Sequence, residues 1–176
     1  MKKQLFVIPF VVFFLIISVF LYLLLIERNP SELPSVLINK KAPNFKTTSL
    51  FDENLIVSNK EFTGEITLVN FFATWCLPCK EEHPFIKKLS SEPGIKVIGI
   101  NYKDENNKAK KWLKKLGNPY TKVGIDKNGS IGIDWGLYGI PETYVVDKNG
   151  IIKYKYIGPI TKKKYKEFYF QIKKFK

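Results

Sequence analysis

Cys76 and Cys79 are the only two cysteines of the chain and stand three residues apart in Trp75-Cys76-Leu77-Pro78-Cys79. Two thiols at that spacing can close and open a disulfide, which is redox chemistry; the same pair could instead hold a soft metal such as copper, or form an inert staple. A disulfide scaffold would need several spaced pairs, and a structural zinc site needs four ligands, of which His83 could supply a third with no convincing fourth. The residues before the pair favour redox chemistry. Ile66 to Phe72 is an apolar, β-branched run suited to a buried central strand, and Ala73-Thr74-Trp75 leads from it into the cysteines. Residues 77 to 90 follow as a helix interrupted by Pro84. At such a junction the unpaired N–H groups and the dipole of the helix stabilise an anion, lowering a thiol pKa from about 8.5 to somewhere around 3.5 to 7.5. Cys76 is then the expected nucleophile. Cys79, one turn on and more buried, is expected to resolve the mixed disulfide by attacking the Cys76 sulfur.

The other segments must build a frame for this junction. Lys96 to Tyr102 reads as a second buried strand, and Asn106 to Leu116 as a Lys-rich amphipathic helix carrying Trp112, Leu113 and Leu116. Strand and helix alternate, which predicts an α/β fold with crossovers. Thr143 to Val146 and Ile151 to Tyr156 flank Asp147-Lys148-Asn149-Gly150, a hairpin signature in which Asn-Gly supplies positive φ. Thr161 to Phe175 forms a final, basic and aromatic helix. No internal repeat is evident.

Leu5 to Ile26 is a run of 22 residues without a charge, enough at about 1.5 Å per residue to cross a hydrocarbon core about 30 Å thick. A cleaved signal peptide is the competing reading, given Lys2 and Lys3, but the run exceeds the usual h-region and no small-x-small site precedes Glu27-Arg28-Asn29-Pro30. The expected organisation is a cytoplasmic stub over 1–4, a transmembrane anchor over 5–26, a linker over 27–41 containing Pro30 and Pro34, and a folded domain over 42–176. Lys2 and Lys3 hold the N-terminus inside, so the domain faces outward. The chain carries 29 Lys+Arg against 16 Asp+Glu, a net +13. That excess is nearly all Lys, spread along the chain with no nucleic-acid-binding module beside it, so no nucleic acid is expected as a partner.

Several motifs carry a family resemblance. Trp-Cys-x-Pro-Cys after a hydrophobic strand, Pro84 five residues beyond Cys79, and Ile140-Pro141-Glu142-Thr143 before a later strand resemble the thioredoxin fold, a central mixed β-sheet flanked by helices. Gly99 to Asp104, Trp112 to Tyr120 and Tyr138 to Thr143 resemble, more narrowly, the CcmG/DsbE family, membrane-anchored thiol-disulfide oxidoreductases of cytochrome c maturation. The resemblance covers roughly residues 40 to 160.

It implies a reductant in the periplasm, held by a single-pass anchor in the cytoplasmic membrane. A DsbD- or CcdA-like membrane electron donor would keep the dithiol reduced, and apocytochrome c or a thiol protein of its maturation would be reduced in turn. A Cys76-Cys79 redox-active disulfide serves, with no cofactor or metal. Pro141 matches the family's cis-proline, which presents backbone to an extended substrate, and Trp75 forms a wall of the site. Thioredoxin has a buried aspartate six residues before its first cysteine; here the residue is Asn70, which cannot accept a proton from Cys79. Glu82 continues the i, i+3 ridge from Cys76 through Cys79, matches an acidic residue of the haem-maturation relatives, and is the candidate acceptor. Glu142, after the cis-proline, is expected near Cys76, to tune the thiol or select partners, with a plain surface charge as the alternative. Two further functions stay open: a general extracytoplasmic thioredoxin of the TlpA or ResA type, and a non-catalytic module that binds apocytochrome or copper.

Overall fold

The computed structural model describes residues 7–25 and 35–175. The chain falls into two units that divide after Pro30. In the first, Val7–Leu25 forms a 19-residue helix, α1, with no charged and no buried residue. At about 1.5 Å per residue it is roughly 28 Å long, which fits a single-pass anchor. Pro9 falls in the first turn of the described helix. The expected stub, residues 5, 6 and 26 of the expected span, and residues 27–34 of the expected linker lie outside the described residues.

The second unit is built around a five-stranded sheet. Its strands are β3 (Ile66–Phe72), β4 (Ile95–Tyr102), β5 (Lys122–Asp126), β6 (Glu142–Val146) and β7 (Ile152–Ile157), in the order β5-β4-β3-β6-β7. β4 runs parallel to β3 and β5 parallel to β4, whereas β6 is antiparallel to β3 and to β7. This is the mixed, helix-flanked sheet of the thioredoxin-like class. Two short strands, β1 (Lys46–Thr48) and β2 (Ile56–Ser58), pair antiparallel and join the β5 edge through Ser49 and Gly124. The helices are α2 (Leu77–Ser90), α3 (Asn106–Leu116), the short α4 (Ser130–Asp134) and α5 (Lys162–Lys173).

β3 is central because all seven of its residues are buried. Its period of two sends alternate side chains to opposite faces. Leu68 and Phe72 meet Cys79, Ile86 and Leu89 of α2, Leu113 of α3 and Phe168 of α5 on one face. Val69 and Phe71 meet Val57 of β2, Trp135 and Tyr144 on the other. Asn70, in step with Leu68 and Phe72, is thereby aimed at α2.

Three features differ from the sequence-based expectation. α2 continues through Pro84 rather than breaking there; the proline removes only the N–H that would bond the carbonyl of Lys80, on the exposed side of the helix. The folded unit begins before Ala42. Leu37 and Ile38 pack on the core, Asn39 N–H donates to Ile152 O, and Ile152 N–H donates to Lys40 O, so 37–41 belong to the domain rather than to a free linker. β1, β2, β5 and α4 are additional elements.

Candidate redox site

Cys76 closes the strand-to-helix junction. It is the N-cap of α2, in extended conformation, and its Sγ accepts from Cys79 N–H at 3.1 Å. A sulfur thus takes the place that a Ser or Asp oxygen usually fills at a helix start. Cys76 and Cys79 form a disulfide, with S–S 2.04 Å and Cα–Cα 5.3 Å. Both are buried, Cys76 at 5% and Cys79 at 2% exposure. Across from them the Ile140–Pro141 peptide bond is cis, and Ile140 O lies 3.6 Å from Cys76 Sγ. Trp75 and Leu77, the chain neighbours of Cys76, stand exposed. Trp75 is held there by its indole N–H, which donates to Lys103 O at 3.1 Å.

α2 buries Cys79, Glu82, His83, Ile86 and Leu89, a stripe at helical spacing that carries Glu82 inward with the resolving position. Glu82 is 1% exposed. Its Oε1 accepts from Asn70 Nδ2 at 2.8 Å and its Oε2 from Ile160 N–H at 3.1 Å. Burial pushes its pKa up to about 8, against the opposing pull of those two donors. Asn70 Nδ2 also donates to Thr143 Oγ1 at 3.0 Å, and Asn70 Oδ1 accepts from the Tyr120 hydroxyl at 2.7 Å. Asn70 therefore ties the carboxyl to a buried phenol.

His83 turns away from the dithiol. Its Nε2 donates to Gly117 O at 2.8 Å and its ring meets Trp112 edge-on. Burial lowers its pKa, and the Lys87 charge adds to this, while the Gly117 carbonyl pulls the other way. Among the described residues no group of three or more His, Cys, Asp and Glu could hold a metal ion.

Glu142 is wholly buried rather than a surface charge, and it lies on the opposite face of β6 from Thr143. Its Oε1 accepts from the N–H groups of Tyr138 (3.0 Å) and Gly139 (3.3 Å), and its Oε2 from the Tyr144 hydroxyl (3.0 Å). Lys155 Nζ is 3.1 Å from the same carboxylate and donates to Gly136 O at 2.7 Å. The pair gathers the 136–139 loop just before cis-Pro141. Glu142 is thus spent on holding the backbone of the loop before cis-Pro141.

Two residues with positioning roles carried no assigned role in the sequence. Asp104 accepts from Thr74 N–H (2.7 Å), Thr74 Oγ1 (2.8 Å), Asn101 Nδ2 (3.0 Å) and Glu105 N–H (2.8 Å), and so fixes the turn that delivers Cys76. Burial alone would raise its pKa, but these donors outweigh it and hold the carboxyl below the usual range. Tyr120 is the second. Its ring stacks on Phe72 at 4.9 Å, against a strand position, Gly99, where a Cβ would come within 2.9 Å of both rings. A glycine inside a buried strand is the sequence signal of such a close approach.

A Redoxin family model matches residues 37–169. The chain is 46% identical over 169 residues to the thiol:disulfide interchange protein DsbE of Haemophilus influenzae, covering 93% of this chain and 91% of that one. It is 43% identical over 140 residues to the thiol:disulfide interchange protein CycY of Rhizobium leguminosarum bv. viciae, covering 80% and 75%. Among solved structures, a thiol:disulfide interchange protein of the thioredoxin family from Chlorobium tepidum TLS superposes with a TM-score of 0.64 at 24% identity, covering 81% of this chain and 99% of that one. At that identity the likeness concerns the fold.

Proposed function

The chain belongs to the DsbE family of thiol:disulfide interchange proteins and is a thiol-disulfide oxidoreductase, and from that premise we propose that it works as a reductant outside the cytoplasmic membrane. Residues 5–26 anchor it there, and the folded domain lies on the periplasmic side. A DsbD- or CcdA-like membrane protein supplies its electrons. Apocytochrome c, or a thiol protein of its maturation, is the client.

In the reduced protein the Cys76 thiolate, at the start of α2, attacks one sulfur of the client disulfide. A Cys76–client mixed disulfide forms and one client thiolate leaves. Cys79 gives its proton to the Glu82 carboxylate, and the resulting thiolate attacks Cys76 Sγ. The second client thiolate departs, and the protein is left with the Cys76–Cys79 disulfide. Two electrons have passed to the client. Regeneration runs the same exchange in reverse with the electron donor, and Glu82 returns its proton to Cys79. Pro141 and the Ile140 carbonyl offer backbone to an extended client segment, with Trp75 as a wall.

The observation that carries this reading is the pairing of a helix-capping Cys76 beside Ile140–cis-Pro141 with a buried carboxyl one turn beyond Cys79. The test is Cys79→Ser in the full chain, which should accumulate a mixed disulfide through Cys76, its partner identified by mass spectrometry. Apocytochrome c or a maturation thiol protein as the partner supports the pathway. Many unrelated clients would favour a general reductase of the TlpA or ResA type, and absence of any adduct would overturn exchange.

A further inference from the structure

The reading of Glu82 as the proton acceptor leaves a physical question about Asn70. Its side-chain amide is buried at 0% exposure between two ionisable groups, and its two ends do opposite things. With the NH2 towards Glu82 it donates to the carboxylate and favours the ionised form. With the carbonyl towards Glu82 it can only accept, which a carboxyl permits only while it keeps its proton. The same side chain can therefore help Glu82 release a proton or hinder it, according to how the amide is turned.

Thr143 does not decide between the two orientations. Its hydroxyl, 3.0 Å from Asn70 Nδ2, can accept from an NH2 or donate to a carbonyl. Tyr120 does decide. Its O–H donates to Asn70 Oδ1 at 2.7 Å; turning the amide would bring the NH2 to the phenol oxygen, which can accept from it, but would take from this buried O–H the acceptor it has. Burial, with the Glu82 charge beside it, holds the phenol's pKa well above its ordinary value, so Tyr120 stays a donor wherever Glu82 titrates. The ring has no room to swing aside, being stacked on Phe72 and seated over Gly99.

The groups that surround Glu82 and Asn70 come from several elements and are mostly neutral. β3 contributes only the neutral Asn70, and β6 the neutral Thr143. β7 sends Tyr156 into the same cluster as Cys79 and Tyr120, and α5 sends Phe168 and Ile172. The segment before α5 contributes the Ile160 N–H. On α2 itself stand Cys79 and His83, the latter turned to Gly117.

We propose that Tyr120 is a positioning residue for the proton acceptor: by fixing the Asn70 amide with its NH2 towards Glu82, it keeps the buried carboxyl able to cycle its proton. This deepens the reading of Glu82 above and rests on it.

The test uses the full-length oxidised protein in nanodiscs. The Glu82 carboxyl is followed by its infrared C=O band, identified as the one lost in Glu82→Gln, across a pH titration. Tyr120→Phe removes one oxygen and keeps the ring in its stack, and thermal melting shows that each variant is folded. Its Glu82 midpoint should rise by about one pH unit, a tenfold gain in proton affinity. Asn70→Ala should raise it at least as far, and adding Tyr120→Phe to that variant should change nothing further, because the phenol acts only through the amide. An unchanged midpoint in Tyr120→Phe, or shifts that add in the double variant, would overturn the proposal. The pH profile of Cys79 alkylation is recorded alongside. A profile unmoved by Glu82→Gln removes Glu82 from the mechanism and Tyr120 with it. A profile that moves with Glu82→Gln but not with Tyr120→Phe overturns the role of Tyr120 alone.

Discussion

Glu82 shows how one buried side chain can link chemistry to stability. Its carboxyl titrates at about 8 in the fold against an ordinary value of 4.5, because burial disfavours the charge more than Asn70 and Ile160 favour it. A group whose folded pKa is raised binds its proton more tightly in the folded state. Its contribution is fully present below the unfolded value and is lost as pH rises through the folded one. The oxidised protein should therefore lose stability between about pH 4.5 and pH 8, on the order of several kcal/mol, and Glu82→Gln should flatten that decline. Thermal melting across this pH range measures both; a decline of equal size in the variant would assign it elsewhere. Asp104 has the opposite sign. Its lowered pKa gives a stabilisation that disappears as pH falls through the carboxylate range, a direction that Asp104→Asn should abolish. At this scale much was legible beforehand. The spacing of Cys76, Cys79 and Glu82 names one ridge of a helix, whereas Asn70 was singled out only through the resemblance to thioredoxin. Tyr120 could not be placed in the same way, because the loop after α3 brings it there and only Gly99 hints at the space it fills.

The long elements were readable for a plain reason: β3 is buried over its whole length, and α3 sets Ala109 and Leu113 inward among lysines, so their boundaries follow from local pattern. β1 and β2 have three residues each and become strands through each other and through the β5 edge, a tertiary cause that leaves little mark on their sequences. β5, with Lys122, Gly124 and Asp126, breaks the apolar run expected of an interior strand. The 136–139 loop shows a further kind of hidden order. Its backbone is held by Glu142 and Lys155, whose side chains are 0% and 2% exposed, and neither residue reveals its partner in the sequence. Removing one member of such a pair leaves a buried charge uncompensated, which typically costs about 3 to 5 kcal/mol. Lys155→Met should be destabilised by that order, and Glu142→Gln added to it should restore much of the loss. Chemical unfolding of the three variants measures this coupling. Loss of the loop should also slow disulfide exchange with a peptide substrate, since Ile140 and Pro141 follow directly from it.

The whole molecule joins a charge-free helix to a domain whose chemistry depends on the compartment it occupies. Lys2 and Lys3 precede the apolar run and only Arg28 follows it closely, a bias that supports the proposed orientation, with the N-terminus in the cytoplasm and the dithiol outside. That arrangement makes a reductant useful, because disulfides persist in the periplasm and are rare in the cytoplasm. The chain has no cysteine besides Cys76 and Cys79, so a thiol reagent reports on this one site. After reduction of intact spheroplasts with a membrane-impermeant phosphine, a membrane-impermeant maleimide should label the protein without permeabilisation. A Cys76→Ser/Cys79→Ser variant should stay unlabelled. Labelling that appears only after the membrane is opened would put the domain on the cytoplasmic side and remove the basis for a periplasmic client. Extraction separates an anchor from a cleaved leader: a retained α1 should keep the protein in the membrane through alkaline carbonate washing, whereas a cleaved chain would be released with the soluble fraction.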